Sequence, residues 1–181
     1  ELTGAQRRCI EEIEGDLESS RAMNRLVQGD VGSGKTAVAE AAMYKAVRGG
    51  CQAVMMAPTE ILAHQHFEGL RKSFAAHGIR VGFLSGSLKA SEKRKILEQL
   101  KDGQIDILVG THAVIQPEVE FARLGLVITD EQHRFGVNQR IRLKEKGQNP
   151  NVLVMTATPI PRTLAVVLYG DLDVSVLDEM P

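Results

Sequence analysis

The sequence predicts a single α/β domain, in which a mostly parallel sheet is covered by helices on both faces to give three layers. Three observations carry that expectation. Short apolar runs of strand length recur along the chain, and several are continuous rather than alternating, as in strands buried on both sides. Amphipathic stretches of helix length fall between them. The 181 residues suffice for one sizeable core rather than two.

In chain order the expected strands are 25–27, 53–57, 81–84, 105–109, 124–129 and 152–155. The expected helices are 35–47, 60–77, 90–101 and 139–146. Ser91, followed by Glu92, suits a helix start, and Gly103 suits its stop. Gly49, Gly50 and Gly78 supply positions that tolerate positive φ after the two preceding helices. The segment 172–181, a short apolar run before Asp-Glu-Met-Pro, reads as an exit from the domain.

Apolar residues make up 43% and charged residues 25% of the chain, which excludes disordered and membrane-spanning classes. No apolar run approaches bilayer length. Cys9 and Cys51 match no metal-ligand or redox spacing, so a reducing cytoplasmic setting is expected. The net charge of −1 lacks the basic signature of a small DNA-binding module, so any nucleic-acid contact must be local. The basic stretches 89–95 and 134–146 read as solvated helix faces.

Gly29, Gly34, Lys35 and Thr36 satisfy G-x-x-x-x-G-K-[ST], between a short apolar strand and an Ala-rich helix. In such a loop, glycines let backbone N–H groups converge on phosphate oxygens, and the helix that follows adds its positive end. Lys35 reaches the β and γ phosphates, and Thr36 offers a hydroxyl to Mg²⁺. Asp30, Val31, Gly32 and Ser33 shape the turn and supply further amide donors. The expected ligand is a nucleoside triphosphate with Mg²⁺.

That loop alone suits a kinase, a GTPase or a motor. The strand 124–129 runs into Asp130, Glu131, Gln132 and His133, and strand C-terminal ends in an open parallel sheet line the ligand crevice. Asp130 is expected to hold Mg²⁺ through water, and Glu131 to orient and deprotonate the attacking water. Alone, Asp-Glu at a strand end reads as a helix cap. Paired with the phosphate loop it implies hydrolysis rather than transfer to a small-molecule acceptor.

With these residues in place the chain resembles the superfamily 2 helicases, whose DExH-type motif stands here as DEQH. The resemblance covers essentially the whole chain and implies a RecA-like P-loop NTPase fold. TGAQ at positions 3–6 resembles the adenine-sensing Q motif, which would have Gln6 read the adenine edge. APTEILAHQH at 57–66 is similar to motif Ia, LSGS at 84–87 to the glycine turn after it, VGTHAVIQ at 109–116 to motif Ib, and TATPIPRT at 156–163 to motif III. DEQHRFGVNQR with MTATPIPRTLA is narrower still and resembles bacterial helicases that migrate DNA branches. Transcription-repair coupling translocases share most of it but carry Glu where this chain has Gln132.

The resemblance implies sequence-independent contacts to DNA phosphates from Pro58, Thr59, Ser85, Gly86, Ser87, Thr111 and His112. Read without it, Pro58 and Thr59 are a helix start, and Thr111 and His112 a loop after a strand. His64 and His66, two apart on a helix, face different directions and do not form a metal pair. Thr156, Ala157, Thr158 and Arg162 would couple nucleotide state to DNA grip, stiffened by Pro159 and Pro161. The resemblance further implies a monomeric bacterial DNA helicase in recombination and repair, needing a second motor domain for its arginine fingers and a wedge domain to split forks. Without them the chain is expected to hydrolyse ATP negligibly. A nucleotide-gated DNA-binding module without motor activity is the alternative of another class.

Overall fold

The computed structural model describes residues 2–19, 22–29, 34–131, 137–157, 163–164 and 173–177. Its seven strands are β1 (Asn24–Gly29), β2 (Gln52–Met56), β3 (Val81–Leu84), β4 (Ile107–Gly110), β5 (Leu124–Glu131), β6 (Asn151–Thr156) and β7 (Asp173–Leu177). They form one sheet in the order β3-β4-β2-β5-β6-β1-β7, with every pairing parallel. The helices α1 (Gly4–Glu18), α2 (Lys35–Arg48), α3 (Glu60–Phe74), α4 (Ala90–Lys101) and α5 (Val137–Lys144) accompany them, and residues 163–164 are helical as well.

The continuous apolar runs are explained by their partition between two cores. Along β5, Leu126 and Ile128 join one cluster while Val127 joins the other. Along β6, Leu153 and Met155 oppose Val152 and Val154 in the same way. Successive side chains in a strand point to opposite faces, so a strand covered on both sides must be apolar at every position. The first core takes Ala5, Cys9 and Ile13 from α1, Val38, Ala39, Ala42 and Met43 from α2, and Leu70 and Phe74 from α3. The second takes Leu100 from α4, Leu143 from α5, and Ala113, Val114 and Ile115 from the 3-10 turn His112–Ile115.

The crossovers follow from right-handedness. The chain leaves β1 and β2 toward the β3 edge through α2 and α3 on the first face. From β3, β4 and β5 it moves the other way, through α4, the 3-10 turn and α5 on the second face. Reversing direction along the sheet reverses the face when every crossover has one hand. β5 and β2 are therefore neighbours whose exits wrap to opposite faces, which opens a crevice at their C-terminal ends.

Four boundaries differ from expectation. The segment 173–177 is not an exit: it pairs along β1 as the edge strand β7, and Ser175 and Leu177 are buried there. Helix α1 was absent from the sequence reading because its apolar residues form one narrow stripe in an otherwise charged segment. Ile105 precedes β4, since its N–H and that of Asp106 bond to turns at Gln99 and Arg80. Helix α4 starts at Ala90 with no side-chain cap, so Ser91 lies inside the first turn, and positive φ falls on Gly50 rather than Gly49.

Candidate active site

The parallel register fixes what meets at the C-terminal edge. Glu131 of β5 aligns with Thr156 of β6, and Thr156 aligns with Gln28 of β1. One step earlier Asp130, Met155 and Val27 form a row. Two strand spacings separate the ends of β5 and β1, about 10 Å, which is the span of a triphosphate with its cation. Gln28, Glu131 and Thr156, apart in sequence by as much as 128 residues, are thus neighbours along this edge.

At the loop end of β1, Gly34 adopts φ 86° and ψ 27°, a left-handed conformation that glycine takes without steric cost. It is the N-cap of α2, and no side chain caps that end. The positive end of the α2 dipole therefore lies at the end of the loop that follows β1. Lys35 is half-buried, and its Nζ donates to the Gly29 carbonyl at 2.7 Å. Thr36 is exposed in the same first turn.

Gln6 is 3% exposed and is held at both ends of its amide. Its Oε1 accepts from the Thr3 N–H at 2.8 Å while the Thr3 hydroxyl accepts from the Gln6 N–H, closing a capping box at the start of α1. Its Nε2 donates to the Gly34 carbonyl at 3.3 Å, which ties α1 to the phosphate loop. The residue expected to read a base edge is therefore also a strut of the loop.

Asp130 is paired. His66, two turns into α3, places Nε2 2.7 Å from Asp130 Oδ2, with the two side chains 11% and 14% exposed. The sequence analysis considered His66 only as a metal ligand, and nothing local in the sequence pairs it with a residue 64 positions away. His64 turns elsewhere, packing edge-on to Phe83. The donors facing this edge, a half-buried carboxylate at Asp130 and the Thr36 hydroxyl, are the hard oxygens that suit Mg²⁺. Among the described residues no group of three or more His, Cys, Asp or Glu could hold a metal on its own.

The loops after β2, β3 and β4 lie side by side, because those strands are neighbours. Thr59 caps α3 by accepting from the Leu62 N–H at 3.2 Å, and Thr111 caps the 3-10 turn by accepting from the Ala113 N–H at 3.4 Å. The purely local reading of both threonines is thus realised. Thr111 and Ser85 are buried; Thr59, Gly86, Ser87 and His112 are exposed and Pro58 is half-buried. Glu60 binds both serine hydroxyls, Ser85 at 2.8 Å and Ser87 more closely, and these bonds hold its carboxyl below the ordinary glutamate range, Ser87 contributing most. A Cβ at Gly110 would collide with the Leu84 carbonyl and come within 2.7 Å of the Val114 side chain, so glycine is what lets β4 turn into this face.

Asp30, Val31, Gly32 and Ser33, Gln132 and His133, and Thr158 and Arg162 lie outside the described residues. Thr156 is buried at the end of β6 and Ala157 half-buried beyond it. Lys93 pairs with Glu118 at 2.9 Å, and Lys146 donates to the carbonyls of Gln116 and Val119 at 2.8 Å each, so these two lysines of the basic stretches serve local contacts.

A mostly parallel sheet with a phosphate loop after one strand and Asp-Glu two strands away defines an NTP-binding motor domain of the helicase type, and the chain belongs to the DEAD/DEAH box helicase family, whose model matches residues 3–167. Within that family the likeness is to RecG. The chain is 59% identical over 180 residues to the ATP-dependent DNA helicase RecG of Streptococcus pneumoniae and, equally, to that of Bacillus subtilis, in each case across 99% of this chain and 26% of the relative. A solved structure of RecG bound to a three-way DNA junction matches 100% of this chain and 24% of its own, at 51% identity and a TM-score of 0.86. The chain therefore spans about a quarter of the length of these relatives.

Proposed function

We propose that these residues form the first motor domain of an ATP-driven helicase that remodels branched DNA, with a second motor domain of the same protein completing the site. The observation that supports this reading is the backbone row Glu131–Thr156–Gln28, which aligns the C-terminal ends of β5, β6 and β1. The match to a RecG bound to a three-way junction supports branched DNA as the substrate class. The exposed Thr59, Gly86, Ser87 and His112 of the adjacent loops supply the phosphate-facing surface, with Ser85 and Thr111 buried beneath it, on the half of the sheet away from the nucleotide.

The chemistry proceeds through groups of this chain. The N-terminal turn of α2 and the Lys35 ammonium, which exchanges the Gly29 carbonyl for phosphate, hold the β and γ phosphates. Asp130 and Thr36 would hold a Mg²⁺ ion, which would supply charge neutralisation for the phosphates. Glu131 orients water for in-line attack and takes its proton. Gln6 reads the adenine edge while bracing Gly34. Thr156 and Ala157, with Thr158 and Arg162, relay the nucleotide state to the DNA loops. The setting is the bacterial cytoplasm; among the described residues no helix is long and apolar enough to cross a membrane.

The test is ATP-dependent unwinding of synthetic forks and Holliday junctions by the intact protein, with linear duplex for comparison. Branched DNA is expected to be processed preferentially, and Lys35→Ala to abolish unwinding. Unaltered unwinding by Lys35→Ala, or no preference for branches, would overturn the assignment.

A further inference from the structure

We propose that His66 is a positioning residue for the metal carboxylate: from α3 it fixes the rotamer of Asp130 and ties that carboxylate to the helix whose first turn braces the DNA-facing loops. The inference rests on the reading of Asp130 as the Mg²⁺-holding carboxylate. An ionised carboxylate only accepts hydrogen bonds, so at 2.7 Å His66 Nε2 must carry the proton and donate it to Asp130 Oδ2. With both side chains nearly removed from water, the bond is held in a low-dielectric setting and is strong. One oxygen of Asp130 is thereby occupied and its χ2 fixed, which leaves the other oxygen for a cation or its water. A carboxylate oriented this way needs no rearrangement when the cation arrives, and loss of such an orienting partner typically weakens metal binding by about 10- to 100-fold.

The placement on α3 adds a second consequence. Glu60, in the first turn of α3, holds Ser85 and Ser87, and His66 lies six residues further along, about 9 Å on the helix axis. The two contacts sit on one rigid element. A displacement of the loop face therefore moves the donor on Asp130, without passing through the Thr156 segment.

The experiment titrates Mg²⁺ against the binding of a fluorescent ADP analogue to the intact protein, with a parallel measurement in EDTA. His66→Ala is expected to raise the Mg²⁺ concentration needed for half-maximal effect about tenfold, while leaving the affinity in EDTA unchanged. His66→Gln, whose amide can reach the same oxygen, should restore most of the Mg²⁺ dependence, and His66→Asn, which is too short, should not. If His66→Ala fails to fold, the Gln and Asn pair carries the same test. Unchanged Mg²⁺ dependence in His66→Ala, alongside its loss in Asp130→Ala, would overturn this inference and leave the reading of Asp130 intact. Equal weakening with and without Mg²⁺ would show a merely structural role. Unchanged dependence in Asp130→Ala would sink the reading of Asp130 itself.

Discussion

Lys35 and Arg25 are both cations near the ends of β1, and their surroundings give them opposite roles. Lys35 donates to a backbone carbonyl, that of Gly29, at the C-terminal end of β1. Arg25 is 7% exposed and is locked by Asp16 at 2.6 and 3.2 Å, by Glu12 at 3.0 Å and by the Ser175 hydroxyl at 2.9 Å. This network joins α1, β1 and β7, so Arg25 is structural. Arg25→Met is expected to destabilise the fold by about 2–4 kcal/mol in urea unfolding, below the range for a fully buried pair because Glu12 and Asp16 remain 37% and 21% exposed. An unchanged midpoint would show the network to be idle. Cys9, beside it, is buried enough to push its thiol up to about 11, which keeps it protonated and unreactive at neutral pH.

At the scale of elements, α1 joins two functions through one side chain. Its capping box uses the Gln6 carbonyl oxygen, and the amide nitrogen of the same group braces Gly34. Thr3→Ala removes half the box and should cost about 1 kcal/mol. The main-chain N–H at position 3 that holds the Gln6 side-chain oxygen remains, so nucleotide affinity should be kept; calorimetry and a fluorescent-nucleotide titration check the two effects, and a fall in affinity would show that the Thr3 hydroxyl, too, supports the loop. The strands and α2 through α5 were legible in sequence because burial on both faces, or on one helical stripe, writes a strong periodic signal. By the same logic α1 and β7 were not: α1 buries only Ala5, Gln6, Cys9 and Ile13, and β7 is a short edge strand that begins with an exposed Asp173. Lys35, Thr36, Asp130 and Glu131 were legible because each sits at a fixed offset from a strand end. His66 and Glu60 were not, since their partners are set by tertiary packing of α3.

For the whole molecule, the sheet order separates two tasks along one edge. β1, β6 and β5 carry the residues proposed to bind the nucleotide, and β2, β4 and β3 the loops proposed to face DNA, with the switch between β5 and β2 dividing them. Helix α3 crosses that division, reaching Ser85 and Ser87 at one end and Asp130 further along. Binding at either half can thus alter the other through a contiguous packed element. The central claim, that this edge is built for hydrolysis rather than for nucleotide binding alone, turns on Glu131. The most direct measurement is the DNA-stimulated ATP turnover and ATP affinity of the Glu131→Gln intact protein. The account predicts retained affinity with turnover reduced about 10²- to 10⁴-fold, the usual contribution of a positioned general base; hydrolysis at the normal rate would contradict it.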